Sequence, residues 1–167
     1  MAAITSVKFD ERLVSRAVEA EIRATVDGLA EIDRGSLQGI YEASLVSVRA
    51  GGDLHSLTTV LQSVGVPTRR AGEIARHISF RSTSIITRER QVSLGVVTAI
   101  WKHSGAPCLP EAGANAPELA LRSADHEAAH GERYSVLEGY LMRGRRTWPG
   151  QDLGCKCFSK PVVPGLD

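Results

Sequence analysis

Aromatic residues make up only 5% of this 167-residue chain, so its core has to be built from Ala, Val, Leu and Ile; a hydrophobic content of 43% is enough for that. Long apolar runs are absent too, which excludes a membrane-spanning helix, and the N-terminus lacks the basic-then-apolar layout of a signal peptide. The expectation is a soluble protein made in the cytosol. Charge of one sign is also missing. Twenty Lys and Arg against nineteen Asp and Glu leave a net charge of +1, which argues against a dedicated nucleic-acid coat. Three cysteines are an odd number and too few for a disulfide framework. There is no phosphate-cradling glycine loop and no Ser-His-Asp arrangement.

What charge there is lies unevenly. Residues 1–66 carry six basic and nine acidic groups, a net of −3, whereas residues 67–107 carry seven and two, a net of +5. Sixteen of the twenty basic residues are Arg, whose planar fork suits bidentate contacts to carboxylate or phosphate. Such a stretch reads equally as a solvated helix face and as a surface for phosphate or an acidic partner.

The first 95 residues have helical periodicity. Asp10 is an N-cap before Leu13, Val14, Ala17, Val18, Ile22, Val26 and Leu29. A second helix carries Leu37, Ile40, Tyr41, Leu45 and Val48 and stops at Gly51-Gly52; Asp53 caps a third with Leu54, Leu57, Val60, Leu61 and Val64. Gly65-Val66-Pro67 breaks the chain, and Thr68 caps the longest helix, running to about Gly95. At a rise of about 1.5 Å per residue it would be about 40 Å long, the length of a spacer or docking rod. Its Ser82-Thr83-Ser84 centre has poor helix propensity and predicts a kink or break.

After Gly95 the pattern changes. Residues 96–101, β-branched and ending in Trp101, read as a strand, and residues 103–117 as a loop of Gly, Pro and Ala. Ser123 is placed to cap a helix of one or two turns ending at Gly131, residues 134–142 read as a strand or hairpin, and the tail reads as turns that fray from Pro161. The fold class is therefore α+β: a mostly helical region 1–95, then a small α+β subdomain 96–167, rich in turns, with a Cys/His cluster and a flexible tail.

Three constellations carry chemistry. His126-Glu127-Ala128-Ala129-His130 matches His-Glu-x-x-His, in which two histidines on one helix face hold zinc and the glutamate acts as general base. Against a zinc-dependent hydrolase stand a short helix, a polar stretch before it and no large cleft-forming region. Cys155-Lys156-Cys157 is half of a metal site, which Cys108 and one of His126, His130 or His103 would complete as a closed structural zinc centre. The alternative is a pair of small buried thiols bracing a tight turn. Arg143, Arg145 and Arg146 flank Gly144 just before Trp148, either as a phosphate-holding turn or as a soluble hairpin tip. With Arg69, Arg70, Arg76 and Arg81 of the long helix they are the candidate contacts to nucleic acid or a protein partner.

The order of these features resembles the phage Mu F-like minor head protein family, also called phage head morphogenesis proteins. Arg70-Ala71, Ile74-Ala75-Arg76, Leu94-Gly95 and Trp101 correspond to its Ile-Ala-Arg helix and Trp-ending strand. Arg122, His126 and Gly131 match its Arg/His/Gly element, Pro149-Gly150 its Pro-containing loop, and Cys155-Lys156-Cys157 its Cys-Arg-Cys close. The match covers about residues 69–161. Here the Arg-to-His spacing is one residue longer, and the stretch between Trp101 and Arg122 carries a Pro-rich insertion with Cys108. The resemblance implies a non-enzymatic virion component, present in few copies and assembled in the host cytoplasm. It would associate with the portal and other head proteins, in some members with DNA, and help form the head or deliver DNA. It implies that Trp101, Arg122, His126, Gly131, Pro149, Cys155 and Cys157 form one structural motif.

Overall fold

The computed structural model describes residues 12, 14–106, 108, 116–152, 154–163 and 165, with only the backbone described over 116–120. Two compact units divide the chain, Met1–Ser79 and Phe80–Asp167. The architecture is α+β, with helices throughout and, among the described residues, two small sheets confined to the C-terminal part.

In the first unit, α1 (Arg16–Asp27) begins where Ser15 accepts the Val18 N–H at 3.3 Å, satisfying one of the donors that a helix start leaves unpaired. Asp10, the cap expected from the sequence, lies outside the described residues. Val18, Ile22 and Val26 form the buried stripe. A 3₁₀ turn over Arg34–Ser36, held by Asp33, leads into α2 (Leu37–Arg49), which buries Ile40 and Val48. Asp53 then caps α3 (Leu54–Ser63) through the Ser56 N–H and hydroxyl at 3.1 and 2.6 Å. Successive helices pack on one another, α1 on α2 and α2 on α3, as short connections favour.

The longest helix, α4 (Thr68–Ser93), starts at Thr68 and spans the division between the units. The break expected at Ser82-Thr83-Ser84 is not there; the helix is continuous. Two of the three residues have work that helix propensity ignores. Ser82 is buried, and the Ser84 hydroxyl donates to the carbonyl of Pro149. A small residue is needed on each side of that contact. Gly150 has φ +82°, and a Cβ there would come 3.1 Å from the Ser84 Cβ.

In the second unit, β1 (Thr98–Lys102) alternates in burial, with Ala99 and Trp101 inward. Removing an indole from water buries about 150–250 Å², worth roughly 4–6 kcal/mol by area, and Trp101 is fully buried. α5 (Ala116–Ala128) follows. It is longer than the expected one or two turns, and Ser123 lies inside it rather than capping it, because the helix starts within the Ala/Pro-rich stretch that reads as loop. Its end is as expected: Gly131 turns with φ +90°, and its N–H donates to the Trp101 carbonyl at 2.8 Å.

The chain continues as β2 (Arg133–Ser135), β3 (Tyr140–Met142), β4 (Arg145–Thr147) and β5 (Phe158–Pro161). Strands β3 and β4 form a hairpin whose two-residue turn, Arg143-Gly144, has positive φ at both positions, as tight hairpins require. The tail is not merely turns. β5 pairs antiparallel with β1, making β1 the centre of a sheet ordered β2-β1-β5, with Trp101 opposite Ser159. Residues 164, 166 and 167 of the expected flexible tail lie outside the described residues. A core cluster of this unit comprises Ala99, Trp101, Cys108, Ala129, Tyr134, Val136, Cys155 and Cys157.

Candidate metal centre

Four buried side chains converge in that core. Cys108 comes from the connection after β1, His126 from the last turn of α5, and Cys155 and Cys157 from the turn leading into β5. Their ligand atoms all lie within 4.8 Å of one another. The Nδ1 of His126 is 3.1 Å from the Cys108 Sγ, 3.3 Å from Cys155 and 3.6 Å from Cys157. A tetrahedral zinc with bonds of about 2.3 Å to sulfur and about 2.0 Å to nitrogen spaces such atoms about 3.5 Å apart. Three thiols and one imidazole at these separations could hold a metal ion such as zinc.

The surroundings fit a cation as well. The Gly150 N–H donates to the Cys155 Sγ at 3.3 Å, a bond suited to a thiolate. The opposite edge of the His126 ring meets a carboxylate, Nε2 lying 3.3 Å from Asp152 Oδ2. Trp101 closes one side, its ring edge-on to His126 with centroids 5.3 Å apart.

The four side chains perturb one another's protonation. Burial disfavours a charged His126, but its bonds to Asp152, Cys108 and Cys155 outweigh this and push the ring up to about 11. Bonds from Cys155 and Cys157 hold the Cys108 thiol far below its ordinary range, and the same bonding to Cys108 and Cys155 drives Cys157 upward. One thiolate balanced by an imidazolium is tolerated; a second would lie beside the first in a site of low dielectric. A divalent cation removes that conflict, because it lets all three thiols ionise.

All four candidate metal ligands inferred from the sequence are thus brought together, and His126 is the histidine chosen from the three possibilities. His130 is exposed, and its Nδ1 accepts the His103 N–H at 3.1 Å. Glu127 is exposed too. The pattern His126-Glu127-x-x-His130 therefore does not share one helix face, since α5 ends at Ala128. The other members of the expected motif fall around the centre. Trp101 and Gly131 are joined through the backbone, Pro149 and Gly150 form the turn against Ser84, and Arg122 lies one turn before His126 on α5.

All of the candidate contact arginines but Arg76 are engaged within the chain. Arg70 pairs with Glu31 at 2.7 Å and Arg69 with Glu73 at 3.2 Å, while Arg81 donates to the Gln151 carbonyl at 3.3 Å. Arg76 is exposed, with its guanidinium over Gly72. On the hairpin, Arg143 pairs with Asp125, Arg145 with Asp152 at 2.8 Å and Arg146 with Glu138 at 3.7 Å. Sequence reasoning missed Asp152. The available signal was an acid three residues before Cys155, which in a Gly/Pro-rich turn looks like any turn aspartate.

Among the described residues, no helix is long and apolar enough to cross a membrane. No family model, no curated protein and no solved structure matches the chain.

Proposed function

We propose that this chain is a non-enzymatic structural protein of a phage head, of the Mu F-like minor head type, whose C-terminal unit is stapled by a zinc ion on Cys108, His126, Cys155 and Cys157. One observation carries the reading. Trp101, His126, Gly131, Pro149-Gly150, Cys155 and Cys157, the residues behind the resemblance, are far apart in sequence yet surround a single buried centre. Four protein ligands leave no open position, and a closed site of this kind is structural rather than catalytic. The zinc would supply cross-linking of three chain segments around Trp101, and the exposed Glu127 is not placed to act as a base on it.

In this role the protein occupies few positions in the virion and docks at the portal, with DNA a further partner. The test is co-expression with a phage portal protein, followed by affinity capture and sizing. Co-elution with the portal, and presence of the chain in purified heads, is the expected result. A chain that elutes alone and is missing from heads overturns the assignment, whatever its metal content.

A further inference from the structure

Resting on the zinc reading of the same site, we propose that Asp152 is the positioning residue of the metal centre, anchored in turn by Arg145. Imidazole has two distinct nitrogens, and only one can face the thiols. Here Nδ1 faces them, at 3.1–3.6 Å, while Nε2 on the far edge meets Asp152 Oδ2 at 3.3 Å. A carboxylate that accepts a hydrogen bond from Nε2–H keeps the proton on that nitrogen, leaves Nδ1 bare for the metal and fixes the plane of the ring. Such outer partners contribute to metal affinity through their ligand.

The second oxygen of Asp152 is not idle. Oδ1 accepts from the Arg145 guanidinium at 2.8 Å, so each oxygen has its own partner and the carboxylate cannot swing. The side chain of Asp152 is only 10% exposed, whereas that of Arg145 is 62% exposed. The backbone adds a further tie, since the Asp152 carbonyl accepts the Cys155 N–H at 2.9 Å. One residue thus orients the imidazole ligand through its side chain and a thiol ligand through its main chain. Arg145, a candidate nucleic-acid contact by its sequence position, belongs to the metal centre instead.

The experiment titrates Zn²⁺ into the reduced full-length chain in competition with a chromogenic chelator. It also follows the His126 ring nitrogens by NMR. Asp152→Ala is expected to weaken zinc binding about 10- to 100-fold and to abolish the slowly exchanging Nε2 proton. Asp152→Asn keeps an acceptor oxygen and recovers part of both. Arg145→Ala produces a smaller loss in the same direction. Asp125→Asn is the control, because it breaks the neighbouring ion pair to Arg143 without touching the ring; it leaves affinity unchanged. If Asp152→Ala keeps full affinity and a protected Nε2 proton, or if Asp125→Asn weakens zinc equally, the positioning role is wrong while the metal site stands. If the unaltered chain takes up no zinc, both readings fall together.

Discussion

His126 and His130 are four residues apart, and a single event separates their fates. The α-helical ladder stops at Ala128, and the left-handed turn at Gly131 carries the chain back to Trp101. His126 is left facing inward beside three thiols, and His130 is left in solvent. His126→Ala should therefore purify without zinc, whereas His130→Ala and Glu127→Gln should retain one zinc per chain, as elemental analysis paired with a thiol count will show. Structural zinc contributes about 10–16 kcal/mol of apparent binding energy in small metal-dependent folds, so the His126 variant should also lose most of the thermal stability of its unit. Full zinc content in His126→Ala would dismiss the ligand set. The cysteines were legible in the sequence because few residue types bind soft metals. The fourth ligand was not, since three histidines were available and the choice depends on where a helix ends to within a residue or two, the feature least fixed by local pattern.

Elements were legible where local physics decides them. α2 and α3 follow apolar spacing and end at glycines, and Asp53 was recognisable as a cap because a short side-chain acceptor stands directly before the apolar repeat. β5 was not legible. Its four residues lack alternation, and they become a strand only because β1, far away in the chain, offers an unpaired edge. α5 was underestimated for a related reason, its first turn falling in a stretch whose Gly, Pro and Ala content reads as loop. The Asp53 cap makes a prediction with a sign. Its bonds from the Ser56 hydroxyl and N–H hold the carboxyl below its ordinary value of 3.8. A lowered folded value means stabilisation that is present above the unfolded value and lost as pH falls through the folded one. Asp53→Ala should thus melt below wild type at neutral pH, with the gap closing on acidification below about pH 4. Asp53→Asn should restore the cap without that acid dependence. Thermal melts followed by far-ultraviolet circular dichroism check this, and a gap constant with pH would remove the charge from the account.

At the scale of the molecule, the two units differ in what holds them. The first rests on aliphatic stripes, with Val18, Ile22, Val26, Ile40, Leu57 and Leu61 all inside. The second has, among the described residues, a core cluster of eight around one large indole, and three of the eight are cysteines. Small cores seldom suffice without a staple, which is the physical reason to expect metal dependence in one unit only. The distribution of tryptophan makes this measurable, because both tryptophans, Trp101 and Trp148, belong to the second unit. Tryptophan emission therefore reports that unit alone, while the far-ultraviolet signal is dominated by helices, including α1 to α3 of the first. Adding a strong chelator to the reduced protein should lower the emission-detected melting point substantially, as removal of any ligand specific for the native state must. The main helical transition should hold its midpoint, and adding back zinc should reverse the shift. A chelator that moved both transitions together would make the metal a global determinant of stability, and one that moved neither would leave the three thiols as ordinary packing groups around Trp101.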